Sequence, residues 1–336
     1  MSVRVGVNGF GRIGRNFYRA ADRPDCDIEI VAVNDLGDTA TMAHLLKYDS
    51  VLGNLPHDIA AVEGGISIDG TVLPVLSERN PADLPWGDYG VDVVVESTGI
   101  FTSRDKASMH LDAGAPLVIV SAPASGADAT FVVGVNDADF DPEAHKVVSN
   151  ASCTTNCFVP MVQVLDQAFG VQQGLMTTIH AYTGDQSLVD GPHGDLRRAR
   201  AAAVNIIPTS TGAARATGLV LQAMDGKLDG TSLRVPIPDG SITDFTATLD
   251  ASPSVDEVNE AFAAAAASGP LAGVLDYSED PLVSSDIVGN PASCVFDAGL
   301  TMAMGSMVKV LGWYDNEWGY SNRLVDLVGI TCSPRG

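Results

Sequence analysis

The nine residues Ser149-Asn150-Ala151-Ser152-Cys153-Thr154-Thr155-Asn156-Cys157 hold two thiols, four hydroxyls and two side-chain amides. Upstream runs His145-Lys146-Val147-Val148, a β-branched strand pattern; downstream, Phe158, Met161, Val162 and Leu165 recur at helical spacing. The stretch therefore reads as a strand-to-helix turn, with Cys153 at the helix start. The first backbone N–H groups of a helix have no partner within it, and its dipole favours negative charge there. A thiol so placed is expected to lose its proton more easily, and the thiolate is the nucleophile. Ser152, Thr154 and Asn150 beside it could steady an oxyanion or a phosphate. Cys157 is four residues on, on the same helix face. A disulfide between these positions fits the required geometry poorly, and no further Cys or His pair at ligand spacing suggests a metal, so Cys157 reads as packing.

A second pattern opens the chain. Val3 to Asn8 reads as a strand, Gly9-Phe10-Gly11-Arg12-Ile13-Gly14 fits G-x-G-x-x-G, and a helix-length segment leads to the strand Ile28–Asn34. Asp35 follows, about 20 residues beyond the glycines, as a dinucleotide-binding fingerprint requires. The glycines let the backbone approach a pyrophosphate at the helix N-terminus. Asp35 would accept hydrogen bonds from the adenosine ribose and repel a 2′-phosphate, which favours NAD over NADP.

These residues need elements to position them. Val91–Glu96, Leu117–Val120 and Thr130–Val135 are near-continuous apolar runs, as buried parallel strands are. Short β patterns between about 55 and 85 read as an insertion of hairpins. Beyond Cys153 the character changes. Leu175 to Thr183 alternates and reads as a strand that delivers His180 to its end, followed by a polar segment from Gly184 to about Asn205 that is longer than ordinary loops. Ile206 to Gly212 leads into a helix. Ser232–Ile237, Ser241–Leu249, Ser293–Phe296 and Met307–Trp313 supply strands, and Ser254 to Glu257 is a capping box ahead of an alanine-rich helix. The fold class expected is α/β: a Rossmann-type dinucleotide-binding domain over 1–152, completed by a C-terminal helix at 317–336, and an α+β catalytic domain with a large mixed or antiparallel sheet over 153–316.

Composition narrows the function further. The 336 residues carry 42 acidic and 19 basic side chains, a net charge of −23. Such a chain is a poor fit to nucleic acid or anionic membranes. No apolar run long enough for a membrane span, no signal-peptide pattern and an odd count of five Cys point to a reduced, cytoplasmic protein. Like charges at this density oppose compaction, and salt shortens their reach from about 30 Å at 0.01 M to about 3 Å at 1 M. Melting temperature and assembled fraction are therefore expected to rise with added KCl. Thermal melts and sedimentation that stay flat up to molar KCl would overturn this.

The runs VGVNGFGRIGR, ESTGIFT, SNASCTTNC, HAYTGDQ, DLRRARAAAVNIIPTSTGAA, RVPIP and WYDNEWGYSNR together resemble the glyceraldehyde-3-phosphate dehydrogenase family, from Val5 to about Asn322. The resemblance implies an NAD-dependent phosphorylating aldehyde dehydrogenase acting through a Cys153 thioester. It implies His180 as base, and Thr183 and Arg234 as holders of the substrate phosphate. Ser152, Thr154, Arg200, Thr211 and Gly212 would take the attacking inorganic phosphate, with Arg197 and Arg198 left to surface ion pairs. Gly11, Arg12, Ile13, Asp35, Arg79, Ser97, Ser121, Asn316 and Tyr320 would contact NAD. Segment 184–205 is similar to a loop that packs against a neighbouring subunit's cofactor, which implies a homotetramer. An alternative is erythrose-4-phosphate dehydrogenase, which shares the thiol and hydride chemistry but usually lacks the Thr-Gly seen here at Thr211-Gly212.

Overall fold

The computed structural model describes residues 2–332. The chain divides into two units: one made of residues up to 131, 137–151 and from 321 onward, the other of 132–136 and 152–320.

In the first unit, the fingerprint strand Val3–Asn8 pairs in parallel with Ile28–Asn34 on one side and Val93–Glu96 on the other. Val118–Val120, Val147–Ser149 and the short Ala129–Thr130 extend the sheet in parallel. On the far side Thr71–Leu76 joins Ile28–Asn34 in parallel and then turns the sheet antiparallel through Gly65–Ile68 and Ile59–Val62. This is the hairpin insertion. Asp69 and Gly70, at φ 48° and 85°, make the tight turn that matches strand twist. The last four residues of each central strand are buried, and Trp86 packs with Val31, Ala32 and Val94 in an apolar cluster. Helix Arg12–Ala21 follows the first strand, as the glycine pattern predicts.

One expected strand is largely absent. Of the Thr130–Val135 run only Thr130, the second residue of the short strand Ala129–Thr130, pairs with a neighbouring strand. Beyond it the chain turns, with the Val135 N–H bonded back to the Val132 carbonyl and Gly134 at φ 83°. Buried valines satisfied by a turn have the same composition as a buried strand, so the pattern could not separate them.

The second unit carries an eight-stranded mixed sheet. Val171–Ala181 lies at its centre, parallel to Leu228–Val235 and antiparallel to Ser241–Leu249. Ile207–Ser210 pairs on the outer side of Leu228–Val235. Met307–Tyr314, Cys294–Asp297 and Leu275–Ser278 continue from Ser241–Leu249, and Met302–Met304 folds onto Met307–Tyr314. Helix Val255–Ala267 starts at Ser254, whose hydroxyl accepts from the Glu257 N–H while the Glu257 carboxylate accepts from the Ser254 N–H. The last helix is Trp318–Cys332; residues 333–336 of the expected 317–336 helix lie outside the described residues.

Candidate active site

Helix Cys153–Phe169 begins at the thiol. Ser152 is its N-cap, its hydroxyl accepting from the Thr155 N–H at 3.1 Å, and Ala151 ahead of it sits at φ 55°, uncommon for a residue with a side chain. Cys153 is half-buried, and its Sγ lies 3.4 Å from Nε2 of His180. Cys157, one turn on, is fully buried and directs its Sγ–H to the Gly312 carbonyl at 3.5 Å. Both cysteines are free thiols.

The sheet register brings the third group in. His180 and Arg234 are direct partners on parallel strands. Arg234 donates through Nη1 to the Ala181 carbonyl at 3.1 Å and to the Thr183 hydroxyl at 3.3 Å. His180 Nδ1 lies 2.7 Å from the same Ala181 carbonyl. A carbonyl only accepts; Arg234 Nη1, a donor, is also 3.1 Å from Nδ1, but its two protons are directed to the Ala181 carbonyl and the Thr183 hydroxyl, so the shorter carbonyl contact places the ring proton on Nδ1 and leaves Nε2 with its lone pair toward sulfur. Burial pushes the Cys153 thiol up to about 11, while Arg234 and the Thr154 amide and hydroxyl pull the other way. Burial, then Arg234, hold His180 down at about 3. The expectation that a helix start eases loss of the thiol proton meets an opposing effect: burial favours the neutral thiol. Tyr314, also buried, joins Thr154 and Thr178 through its hydroxyl, at 2.9 and 2.7 Å, and sets its ring edge-on to His180.

The family model for the glyceraldehyde 3-phosphate dehydrogenase C-terminal domain matches residues 152–316, and that for the NAD binding domain of the same family matches 3–104. Glyceraldehyde-3-phosphate dehydrogenase 2 of Streptomyces arenae is 62% identical over 333 residues, 99% of each chain. The Streptomyces coelicolor enzyme of that name is 62% identical over 97% of this chain and 98% of its own, and the Mycolicibacterium smegmatis one is 62% identical over 98% of both. The chain belongs to the glyceraldehyde 3-phosphate dehydrogenase family.

Within this member of the family, the anion-holding residues do not all fall where the sequence put them. Thr183 stands on the Arg234 guanidinium. Thr211 accepts from the Ala213 N–H, and Gly212 opens helix Ala213–Val220 without a capping side chain. Arg200 is not brought to the Cys–His pair. Its Nε is bound to Asp190 at 2.9 Å, both side chains being about 60% exposed, and the Ala201 N–H fixes that carboxylate from the other side. Arg198, expected in a surface ion pair, makes one with Asp185, whose side chain is half exposed. It donates to the Thr209 hydroxyl at 2.9 Å and to Asp185 at 2.6 Å, and its charge bears on both His180 and Arg234. Arginines two apart in one irregular segment carry no periodicity that says which faces in. Tyr314 was missed for a similar reason: in the strand pattern it reads as one more apolar residue.

The cofactor residues lie mostly in the first unit. Gly11, Asp35, Arg79 and Ser97 line one crevice of about 380 Å³ at the strand ends. A Cβ on Gly14 would collide with the Gly9 carbonyl, which explains that glycine by packing. A Cβ on Gly11 would meet nothing within 4 Å, so packing within the chain does not require that glycine. Asp35 already accepts from the N–H groups of Phe10 and Gly37, at 2.8 and 2.9 Å, which fixes its carboxylate at the crevice. These features fit a dinucleotide. Arg12, held by Asp49, and Ile13 and Ser121 do not line the crevice. Asn316 and Tyr320 fall in the second unit, where Asn316 accepts from the Ser241 hydroxyl at 2.6 Å. No group of His, Cys, Asp and Glu among the described residues could hold a metal ion.

Proposed function

We propose that this chain carries out the glycolytic oxidation of D-glyceraldehyde 3-phosphate to 1,3-bisphosphoglycerate, with Cys153 as nucleophile and His180 as its base. The observation that carries the reading is the thiol at a helix start, 3.4 Å from an imidazole nitrogen whose tautomer leaves it free to accept a proton. The sulfur attacks the aldehyde carbon, the S–C bond forms, and the thiol proton passes to Nε2 of His180. NAD, when bound, supplies the two-electron acceptor that turns the hemithioacetal into a thioester. Inorganic phosphate then adds to the thioester carbonyl, the C–S bond breaks, and the sulfur is released for the next turn. Two anions must sit near one sulfur, so two guanidinium groups are required. Arg234 with Thr183 and Arg198 with Thr209 supply them, with Ser152, Thr154, Thr211 and Gly212 around the attacking phosphate. Gly11, Arg12, Ile13, Asp35, Arg79, Ser97, Ser121, Asn316 and Tyr320 hold NAD.

The test is NAD reduction by glyceraldehyde 3-phosphate with and without inorganic phosphate. Multiple-turnover rate should rise with phosphate and saturate. A rate independent of phosphate would mean that water cuts the thioester, as in the erythrose-4-phosphate reading.

NAD preference follows from Asp35. Asp35→Ser removes a charge that repels a 2′-phosphate and a pair of acceptors for the ribose hydroxyls. The ratio of kcat/KM for NAD to that for NADP should fall by about tenfold or more, since a hydrogen bond to a charged group is worth about 1.5–3 kcal/mol. Equal use of both cofactors by the unchanged enzyme would defeat this assignment.

The assembly we infer is a homotetramer in the cytoplasm, without nucleic-acid or membrane partners. Segment 184–205 supports it: Leu188 and Leu196 are each 82% exposed, and Val189 and Val204 within it and Ile206 just past it are exposed too, apolar side chains that a second copy would cover. No helix among the described residues is long and apolar enough to cross a membrane.

A further inference from the structure

Beneath the crevice of the first unit lie a carboxyl and an imidazole that the chemistry above does not use. Glu96 and His110 are 2% and 0% exposed, with Glu96 Oε2 at 2.9 Å from His110 Nε2. Trp86 Nε1–H, which can only donate, points at His110 Nδ1 from 2.9 Å. Nδ1 is therefore the accepting nitrogen, and Nε2 carries the proton and donates to Glu96. Glu96 accepts three more hydrogen bonds: from Asn8 Nδ2 at 2.5 Å, from the Thr98 N–H at 2.8 Å and from the Thr98 hydroxyl. Asn8 Oδ1 in turn accepts from Asn34 Nδ2 at 2.7 Å, and Asn34 clasps the Glu78 backbone, giving to its carbonyl at 2.9 Å and taking from its N–H at 2.8 Å.

This is one continuous chain of hydrogen bonds, and its members sit at strand ends. Asn8, Asn34 and Glu96 close the strands Val3–Asn8, Ile28–Asn34 and Val93–Glu96, and Glu78 lies two residues past Thr71–Leu76. The segments that leave these four strands are those that line the crevice. For stability alone, an apolar pair of similar volume would serve as well as a buried acid. A satisfied polar chain adds fixed distances between backbone segments that share no ladder beyond the sheet.

We propose that Glu96 and His110 are positioning residues for NAD: the carboxyl, held by the imidazole, sets the spacing of the four strand-end segments on which the cofactor lies. The inference rests on the crevice being the NAD site. Three full-length variants test it. Glu96→Gln turns an amide toward donors, His110→Phe keeps ring volume but breaks both ring hydrogen bonds, and His110→Gln keeps a donor for Glu96. NAD affinity is measured by calorimetry without aldehyde or phosphate, well below each variant's melting temperature, and KM for NAD is compared with kcat. Glu96→Gln and His110→Phe should weaken NAD binding about tenfold or more, the scale at which groups behind a binding site act. KM for NAD should rise in step, kcat at saturating NAD should stay within about twofold, and His110→Gln should recover most of the affinity. The His110 pair keeps the test decisive if Glu96→Gln does not fold. Folded variants with unchanged NAD affinity beside a wild type that binds NAD would overturn this inference alone. A wild type that binds no NAD would overturn the reading of the crevice and the inference with it.

Discussion

Cys153→Ser removes turnover, by about 10⁴-fold or more, the scale on which loss of a covalent nucleophile acts. The serine hydroxyl keeps the N-terminal helix position but has no accessible anion at neutral pH. NAD affinity should persist, because the crevice belongs to other residues. Cys157→Ser should keep most activity, since that thiol is fully buried one turn along the helix and is directed to the Gly312 carbonyl, not to His180. Steady-state assays of both variants, with NAD binding measured alongside, decide it. Equal losses in the two would remove Cys153 from its role.

His180→Asn lowers the single-turnover rate of NAD reduction by about 10²–10⁴-fold, the range of general base catalysis. The second readout is alkylation of Cys153 by iodoacetamide across pH. Burial raises the thiol to about 11 and holds the imidazole down at about 3, so both groups favour their neutral forms. With both groups neutral at rest the proton stays on sulfur, so the wild-type thiol should react at neutral pH by passing it to the Nε2 lone pair only as the sulfur attacks, in the manner of general base catalysis. In His180→Asn that acceptor is gone, so alkylation at neutral pH slows and the profile moves toward the alkaline range of the thiol itself. Superimposable profiles would show that His180 does not touch the proton. Asparagine keeps a side-chain polar group near the Ala181 carbonyl, so a general collapse of the site is not expected to mimic the result.

Much of this was legible in the sequence because it was local. A glycine turn between a strand and a helix, an acid at the end of the next strand, a cysteine at a helix start and the Ser254–Glu257 capping box each depend on a few neighbouring residues. What was not legible depends on which way a side chain turns or on register between distant strands. Arg200 turns to Asp190 while Arg198 reaches Asp185 and Thr209, and nothing in their local sequence says which way each turns. The pairing of His180 with Arg234 is a register fact, 54 residues apart. Tyr314 reaches Thr154 across 160 residues. The effect of burial on the thiol also needed the fold, since a helix start pulls one way and an enclosed pocket pushes the other.

The division of the chain also has a temporal side. The first unit takes its last residues from beyond 320, and Leu324, Leu327 and Val328 there are completely buried. A ribosome therefore makes the whole of 152–320 between the penultimate piece of that unit and the piece that closes it. At 5–20 residues per second this takes roughly 10–30 s. Throughout that interval the nascent first unit lacks those three buried side chains, and its apolar surface waits uncovered. A message truncated after codon 153 but before codon 321 yields a product that holds Cys153 and a dinucleotide-binding unit left permanently ajar, a substrate for chaperones and proteases.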